Sequence, residues 1–224
     1  MKITERKEPK NRMGEAILCY GKSGSGKSRS LLNFGEDEIF LVNVIGKRMP
    51  FAKKFKYEMQ TDNVDVIKSK LKAMPCKVAV IDDAGYMMTN TFMRNRDAKD
   101  QFSVYNQIGD MMWGLVRYVK KELPDDVLVY ILMHEESDDF GNTKLRTIGK
   151  LLDQKVCLEG MVTICLRCVA RGTSHLFLTN STGTGIEKSP EGLFELEEPN
   201  DLKAIDTKIR KFWGIEPTKK EDGK

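Results

Sequence analysis

The chain lacks the features that would commit it to a membrane or to an oxidising compartment. No apolar run approaches the ~18 residues needed to cross a bilayer, so no transmembrane helix is expected. Opposite charges nearly cancel: 37 Lys and Arg against 33 Asp and Glu leave a formal net charge of +4, too little to infer attraction to nucleic acid from the whole surface. The 5 cysteines are an odd number without framework spacing, which excludes a disulfide scaffold and reads as reduced, buried thiols. A single C-x-x-C, Cys165 and Cys168, lies in the strand-like stretch Thr163 to Val169. Residues three apart on a strand face opposite ways, and only His134 and His175 could complete a site, so zinc is not expected. Met1 to Arg12 is charged and is not followed by an apolar stretch with a small-residue cleavage site, so a signal peptide is not expected and the cytoplasm is the expected compartment. Repeats and low-complexity segments are absent as well.

What remains is 224 residues, 40% of them apolar, the size of one large α/β domain. The expected division is a basic N-terminal segment (1–13), one domain (14–213) and a polar tail (214–224). Short apolar runs alternate with longer helical patterns, as in β-α units around a mostly parallel central sheet flanked by helices. Ala16 to Tyr20 reads as the first strand, followed by a helix from about Lys27 to Gly35 carrying Leu31, Leu32 and Phe34. Ile39 to Ile45 reads as a strand, Val64 to Ala73 as a helix, and the continuous run Val78 to Ile81 as a central strand covered on both faces. Phe102 to Leu123 has the longest helical periodicity and ends before Pro124. Val127 to Met133 and Met161 to Leu166 are further strands, with His175 to Thr179 as a C-terminal hairpin or edge strand. A last helix spans about Asp201 to Phe212, with Asn200 as its expected N-cap. The methionines fall at helical and strand spacing and read as core.

One motif carries chemistry. Gly21, Lys22, Ser23, Gly24, Ser25, Gly26, Lys27 and Ser28 match G-x-x-x-x-G-K-[ST] in full, with Arg29 next in line. Chance supplies such a match in about one chain in a hundred at ordinary residue frequencies. Here a buried strand precedes it and an apolar-faced segment follows. Glycines let the backbone curl into a nest of N–H groups that point at phosphate oxygens. Lys27 is expected to reach the β- and γ-phosphates, and the Ser28 hydroxyl to hold Mg²⁺. The early Lys22 also resembles the deviant loop of partition-type ATPases, where that lysine acts across a dimer; as a plain loop residue it would simply be solvated.

A second acidic site follows. Val78 to Ile81 ends in Asp82 and Asp83, and a carboxylate at the C-terminal end of a central strand sits in the crevice beside the phosphate loop. Asp82 is assigned to Mg²⁺ through water, the Walker B role, and Asp83 to orienting the attacking water. Val127 to Met133 likewise ends in polar groups: His134, placed to sense the γ-phosphate, and Glu135, an alternative base. Absent motifs narrow the class. Without N-K-x-D or L-S-G-G-Q, guanine-selective switches and transporter ATPases are set aside, and no arginine-studded kinase lid is evident beyond Arg94 and Arg96.

The order of parts resembles the RecA-like recombinase core over roughly residues 14–196. More closely, the chain is similar to phage-encoded ATP-binding proteins related to RecA, including single-strand annealing proteins of the Sak type. The residues carrying this are Gly21 to Ser28, Asn43 to Lys47, Ile81 to Asp83, His134 to Glu136, Thr147 to Asp153, Leu158 to Met161 and Lys188 to Phe194. The resemblance implies a RecA-like P-loop ATPase using ATP and Mg²⁺, a homo-oligomer, single-stranded DNA and a single-strand-binding protein as partners, and a role in phage recombination or annealing. It also implies DNA-binding loops after Asp83 (with Arg94, Arg96 and Lys99) and after His134 (with Lys144 and Arg146), and a trans-acting cation from Arg167, Arg171 or Lys188. One departure stands out. RecA's water-activating glutamate ends the strand after the phosphate-loop helix, whereas Ile39 to Gly46 ends without an acid, leaving Asp83 or Glu135 as base.

Lys47, Arg48, Lys53, Lys54 and Lys56 share a stretch with Phe51, Phe55 and Tyr57 and no acid. Cations for phosphates and aromatic faces for bases make a single-strand binding surface, unless the aromatics pack inward. Two alternatives to a DNA-linked ATPase stay open: a partition-type dimeric ATPase, and a nucleotide-binding switch that recruits a protein with little hydrolysis.

Overall fold

The computed structural model describes residues 13–215, so most of the segments expected at 1–13 and 214–224 lie outside the described residues. Strands β1 (Glu15–Gly21), β2 (Ile39–Asn43), β3 (Tyr57–Met59), β4 (Val78–Asp82), β5 (Leu128–Ser137), β6 (Thr143–Leu145), β7 (Ile164–Arg171), β8 (Ser174–Leu178) and β9 (Glu197–Pro199) alternate with helices α1 (Val64–Ala73), α2 (Gly85–Arg94), α3 (Gln101–Glu122) and α4 (Leu202–Trp213). The strands form one sheet in the order β3-β2-β4-β5-β1-β7-β8-β9, with β6 pairing off β5. Pairs from β3 through β7 are parallel, whereas β6, β8 and β9 join antiparallel. This is the mostly parallel α/β architecture, with a C-terminal hairpin, that the RecA-like resemblance implies.

Burial explains the central runs. Every residue of β2 and β4 is buried, as unbroken apolar sequence requires when helices cover both faces. Alternate side chains of one strand feed two cores. Ala16, Leu18, Tyr20, Ala79 and Ile81 pack with Ile67, Met87, Met112 and Leu115 of α1, α2 and α3. Ile17, Cys19, Val78, Val80 and Tyr130 pack with Leu31, Phe34, Leu202 and Ile209 on the other face. Cys165 and Cys168 fall into different clusters, so the C-x-x-C sulfurs lie on opposite sides of the sheet.

Several local expectations are corrected. The helix after the phosphate loop is only a 3-10 segment, Ser28–Leu31. The Ser30 hydroxyl donates to Lys27 O at 2.6 Å, offering the backbone a local partner that competes with helix propagation. The stretch after Asp83 is not a loop but α2 as far as Arg94, because burial of Met87, Met88 and Thr91 overrides the weak helix propensity of Thr89 to Thr91. The stretch after His134 is a β5–β6 hairpin. α4 is capped by Asp201, whose carboxylate accepts from Lys203 N and Ala204 N, rather than by Asn200. Of the two expectations for His175 to Thr179, the hairpin holds: β8 pairs antiparallel with β7, and β9 covers its other side.

α4 is fastened through a buried network. Tyr130 OH donates to Asp206 Oδ1 at 3.0 Å and Arg210 Nε donates to Asp206 Oδ2 at 2.7 Å. The Arg210 guanidinium also donates to Asp126 O and Lys77 O, at 2.9 and 3.1 Å, beside the N-terminal ends of β4 and β5. Burial pushes the Asp206 carboxyl up, against the pull of Arg210 and Tyr130. Asp206→Ala strands a buried guanidinium and should lower the unfolding free energy by about 3–5 kcal/mol in urea titrations. Combining it with Arg210→Met should recover most of that loss.

Candidate phosphate-loop site

The loop from Gly21 to Ser28 leaves the C-terminal end of β1 at the middle of the sheet. Its curvature depends on Gly24 at φ 78° and Gly26 at φ 102°, where a side chain is strained. A Cβ on Gly26 would also sit 2.9 Å from His175 Nδ1. His175 itself lies 3.0 Å from Ser25 O, so with its proton on Nδ1 the ring donates to the loop backbone. Lys27 Nζ is folded under the loop, donating to Gly21 O and Lys22 O at 2.8 Å each. Burial lowers its pKa, while Cys168, Asp83 and Asp82 pull the other way.

The metal candidates meet. Ser28 Oγ lies 2.8 and 3.0 Å from the two carboxylate oxygens of Asp82, which is wholly buried. Burial and then the neighbouring Asp83 raise the Asp82 pKa, against Lys47, Ser28 and Lys27. A hydroxyl beside a desolvated carboxylate is a hard-oxygen donor pair of the kind Mg²⁺ takes alongside phosphate and water. These two residues would hold the ion, which would supply neutralisation of phosphate charge.

Asp83 leaves the strand in the left-handed region, φ 58°, and its side chain is 1% exposed. Lys47 Nζ contacts its Oδ2, and His134 Nε2 lies 3.4 Å from its Oδ1. Neither contact has good hydrogen-bond geometry; the Lys47 contact is an ion pair. Burial pushes the Asp83 carboxyl up, but His134 and Lys47 outweigh it and hold the pKa below its ordinary value. The register places His134 beside Gly21, with Tyr86 edge-on to the ring at 6.0 Å. Around these groups lies a cleft of about 360 Å³, lined by residues of the loop with Lys47, Arg48, His134 and His175. A larger cavity, about 650 Å³, opens by Val78 and α4, but its Lys77, Lys203 and Arg210 already pair with Asp126, Glu38 and Asp206.

Other expected site residues are placed elsewhere. Glu135 forms a bidentate pair with Arg167, at 2.9 and 3.1 Å, in a separate cleft bordered by Lys22 to Ser25. Arg167, expected to act in trans, is thus engaged within its own chain; Arg171 pairs with Glu197, and Lys188 bridges to Cys165 through its backbone. Within the basic stretch, Lys53 donates to Leu32 O and Phe34 O, Lys56 lies over the Tyr57 ring, and Phe55 is buried with Phe51 edge-on to it. Those aromatics pack inward and are not a free stacking platform. Arg94 pairs with Asp62, Arg96 with Asp97, and Lys144 with Glu136 and Asp153. Lys22, Arg29, Arg48, Lys54, Lys99 and Arg146 are exposed. Sequence reasoning missed His175, which the β7–β8 hairpin returns to the loop from 150 residues away, and gave Lys47 to DNA rather than to Asp83. The scarcity of histidine was the one available signal for the former.

No protein-family model matches the chain, and no curated protein matches it. Among solved structures it is similar to a KaiC-like protein from the hyperthermophilic archaeon Pyrococcus horikoshii OT3, with 14% identity, a TM-score of 0.46, and coverage of 84% of this chain and 85% of that one. At that similarity the fold assignment rests on the sheet order and the phosphate loop. A P-loop α/β fold is therefore the coarse conclusion.

The Arg167–Glu135 pair makes a separable claim. Arg167→Ala leaves a carboxylate with 2% exposed side chain unpaired and should destabilise the chain by about 3–5 kcal/mol, independent of protein concentration. A purely trans role would leave the stability of the isolated chain untouched.

Proposed function

We propose that the chain binds Mg²⁺-ATP in the phosphate-loop cleft and hydrolyses it to ADP and phosphate. The observation that carries this is the meeting of Ser28 Oγ with both Asp82 oxygens beside the buried Lys27 ammonium. The motif spacing alone does not require that contact. ATP is favoured over GTP by the missing N-K-x-D. In calorimetric titrations with ATPγS, Lys27→Ala should weaken binding by about tenfold or more, the worth of a charge-assisted contact. Ser28→Ala and Asp82→Asn should bind without metal and lose the tightening that Mg²⁺ brings. Wild-type affinity in Lys27→Ala would overturn the reading.

We extend the reading to single-stranded DNA, supported by the exposed Arg48, Lys54, Lys99 and Arg146 and by Arg48 lying on the rim of the nucleotide cleft. Roles in phage recombination or annealing, a homo-oligomer and a single-strand-binding partner rest on the resemblance alone. DNA affinity should fall steeply with salt, and DNA should raise ATP turnover. A flat salt profile rules the DNA surface out.

The switch reading has an observation of its own: Asp83 is held by Lys47 and His134, and Glu135 by Arg167. Tight ATP binding with slow turnover unaffected by DNA favours it. The partition-type reading needs the exposed Lys22, and complete loss of turnover in Lys22→Ala would favour that one.

A further inference from the structure

The cleft contains a second lysine that its motif does not require. Lys47 follows β2, and three observations fix its position. Asn43, the last residue of β2, is in register with Asp82, so the chain leaves β2 level with the two acids of β4. The buried Asn43 side chain donates through Nδ2 to Lys47 O at 2.8 Å and pins the turn. Gly46, at φ 69°, reverses the backbone so that the next side chain returns over the sheet. The Lys47 ammonium thereby contacts Asp83 Oδ2 while lining the same cleft as Ser23, Gly24, Lys27 and Ser28. Its side chain is 42% exposed, against 1% for Asp83. The lysine is the partner free to move; the carboxylate is fixed in place.

Charge decides what happens when a triphosphate enters. Without nucleotide, Lys27 and Lys47 stand over Asp82 and Asp83, two ammonium groups against two carboxylates. A terminal phosphate carries more negative charge than one carboxylate and presents three oxygens, so it competes for the mobile ammonium. We infer that Lys47 is a nucleotide-gated counter-ion: it caps Asp83 in the free protein and transfers to the γ-phosphate when ATP binds, which uncovers Asp83 as the base. This rests on the reading of the cleft as an ATP site and adds its regulation. Once uncovered, Asp83 Oδ2 accepts a proton from the attacking water as the water oxygen bonds to the γ-phosphorus. The bond from that phosphorus to the β,γ-bridging oxygen breaks, and its electron pair leaves with ADP. Lys47 then returns to Asp83 when the phosphate departs. ADP cannot reach the lysine with a third phosphate, so Lys47 also separates triphosphate from diphosphate.

The test is a cycle of affinities on the full chain, with Mg²⁺ and with ATPγS and ADP as probes. Lys47→Met should weaken ATPγS by about tenfold or more and leave ADP within about twofold, as expected for loss of one charge-assisted contact to the terminal phosphate alone. Lys47→Arg should restore most of the difference. Asp83→Asn releases the lysine and should tighten ATPγS several-fold, a gain that vanishes in Lys47→Met/Asp83→Asn. That double variant also removes the uncompensated carboxylate, so it provides a folded comparison should Lys47→Met be unstable. Equal losses for both nucleotides, or an Asp83→Asn gain that survives without Lys47, would overturn the inference while leaving the ATP site standing. Failure of the wild-type chain to bind either nucleotide would overturn both.

Discussion

Two adjacent carboxylates at the end of a buried strand set the terms for everything around them. Asp82 and Asp83 are both nearly inaccessible, and two such charges in low dielectric persist only with compensation. They are treated differently. Asp82 has a hydroxyl partner and a pKa raised first by burial. Asp83 is turned out of the strand by its left-handed backbone toward Lys47 and His134 and is held ionised. The local chain path thus separates one acidic dipeptide into a carboxylate facing a hydroxyl and a carboxylate compensated by a lysine.

The sheet makes this division possible. Because β5 lies between β1 and β4, the phosphate loop and the acids are one strand apart, and the polar end of β5 fills the space between them with His134. β2, on the far side of β4, contributes Lys47 by the same logic. Each strand end supplies its own groups, and parallel pairing brings those ends to one edge.

Much of this was legible from residue order. The phosphate loop is contiguous, and β1, β4 and β5 announce themselves as apolar runs that end abruptly in polar residues. The α1 limits coincide with the expected Val64 to Ala73 run, and the structure adds Asn63 as its cap. Less legible were features settled by tertiary contact. α2 is polar enough to read as a loop and is helical because Met87 and Met88 are buried. Lys47 sits among four other cations, and composition could not separate the one that faces an acid from those that face solvent or backbone carbonyls. His175 reaches the loop only through an antiparallel return, and no periodicity encodes that contact. Glu135 and Arg167, read separately as base and trans cation, satisfy each other.

The lacing of α4 to the segment behind the phosphate loop has a consequence in time. Asn33 Nδ2 donates to Asp201 at 2.8 Å, Lys203 meets Glu38, and Leu202 and Ile209 cover the same face as Leu31 and Phe34. His175, which contacts the loop backbone, likewise lies far downstream of it in the chain. His175 follows Ser25 by 150 residues and Asp201 follows Asn33 by 168, so during translation the phosphate loop is made well before these supports. A nascent chain therefore carries the loop sequence before the contacts that steady its backbone can form.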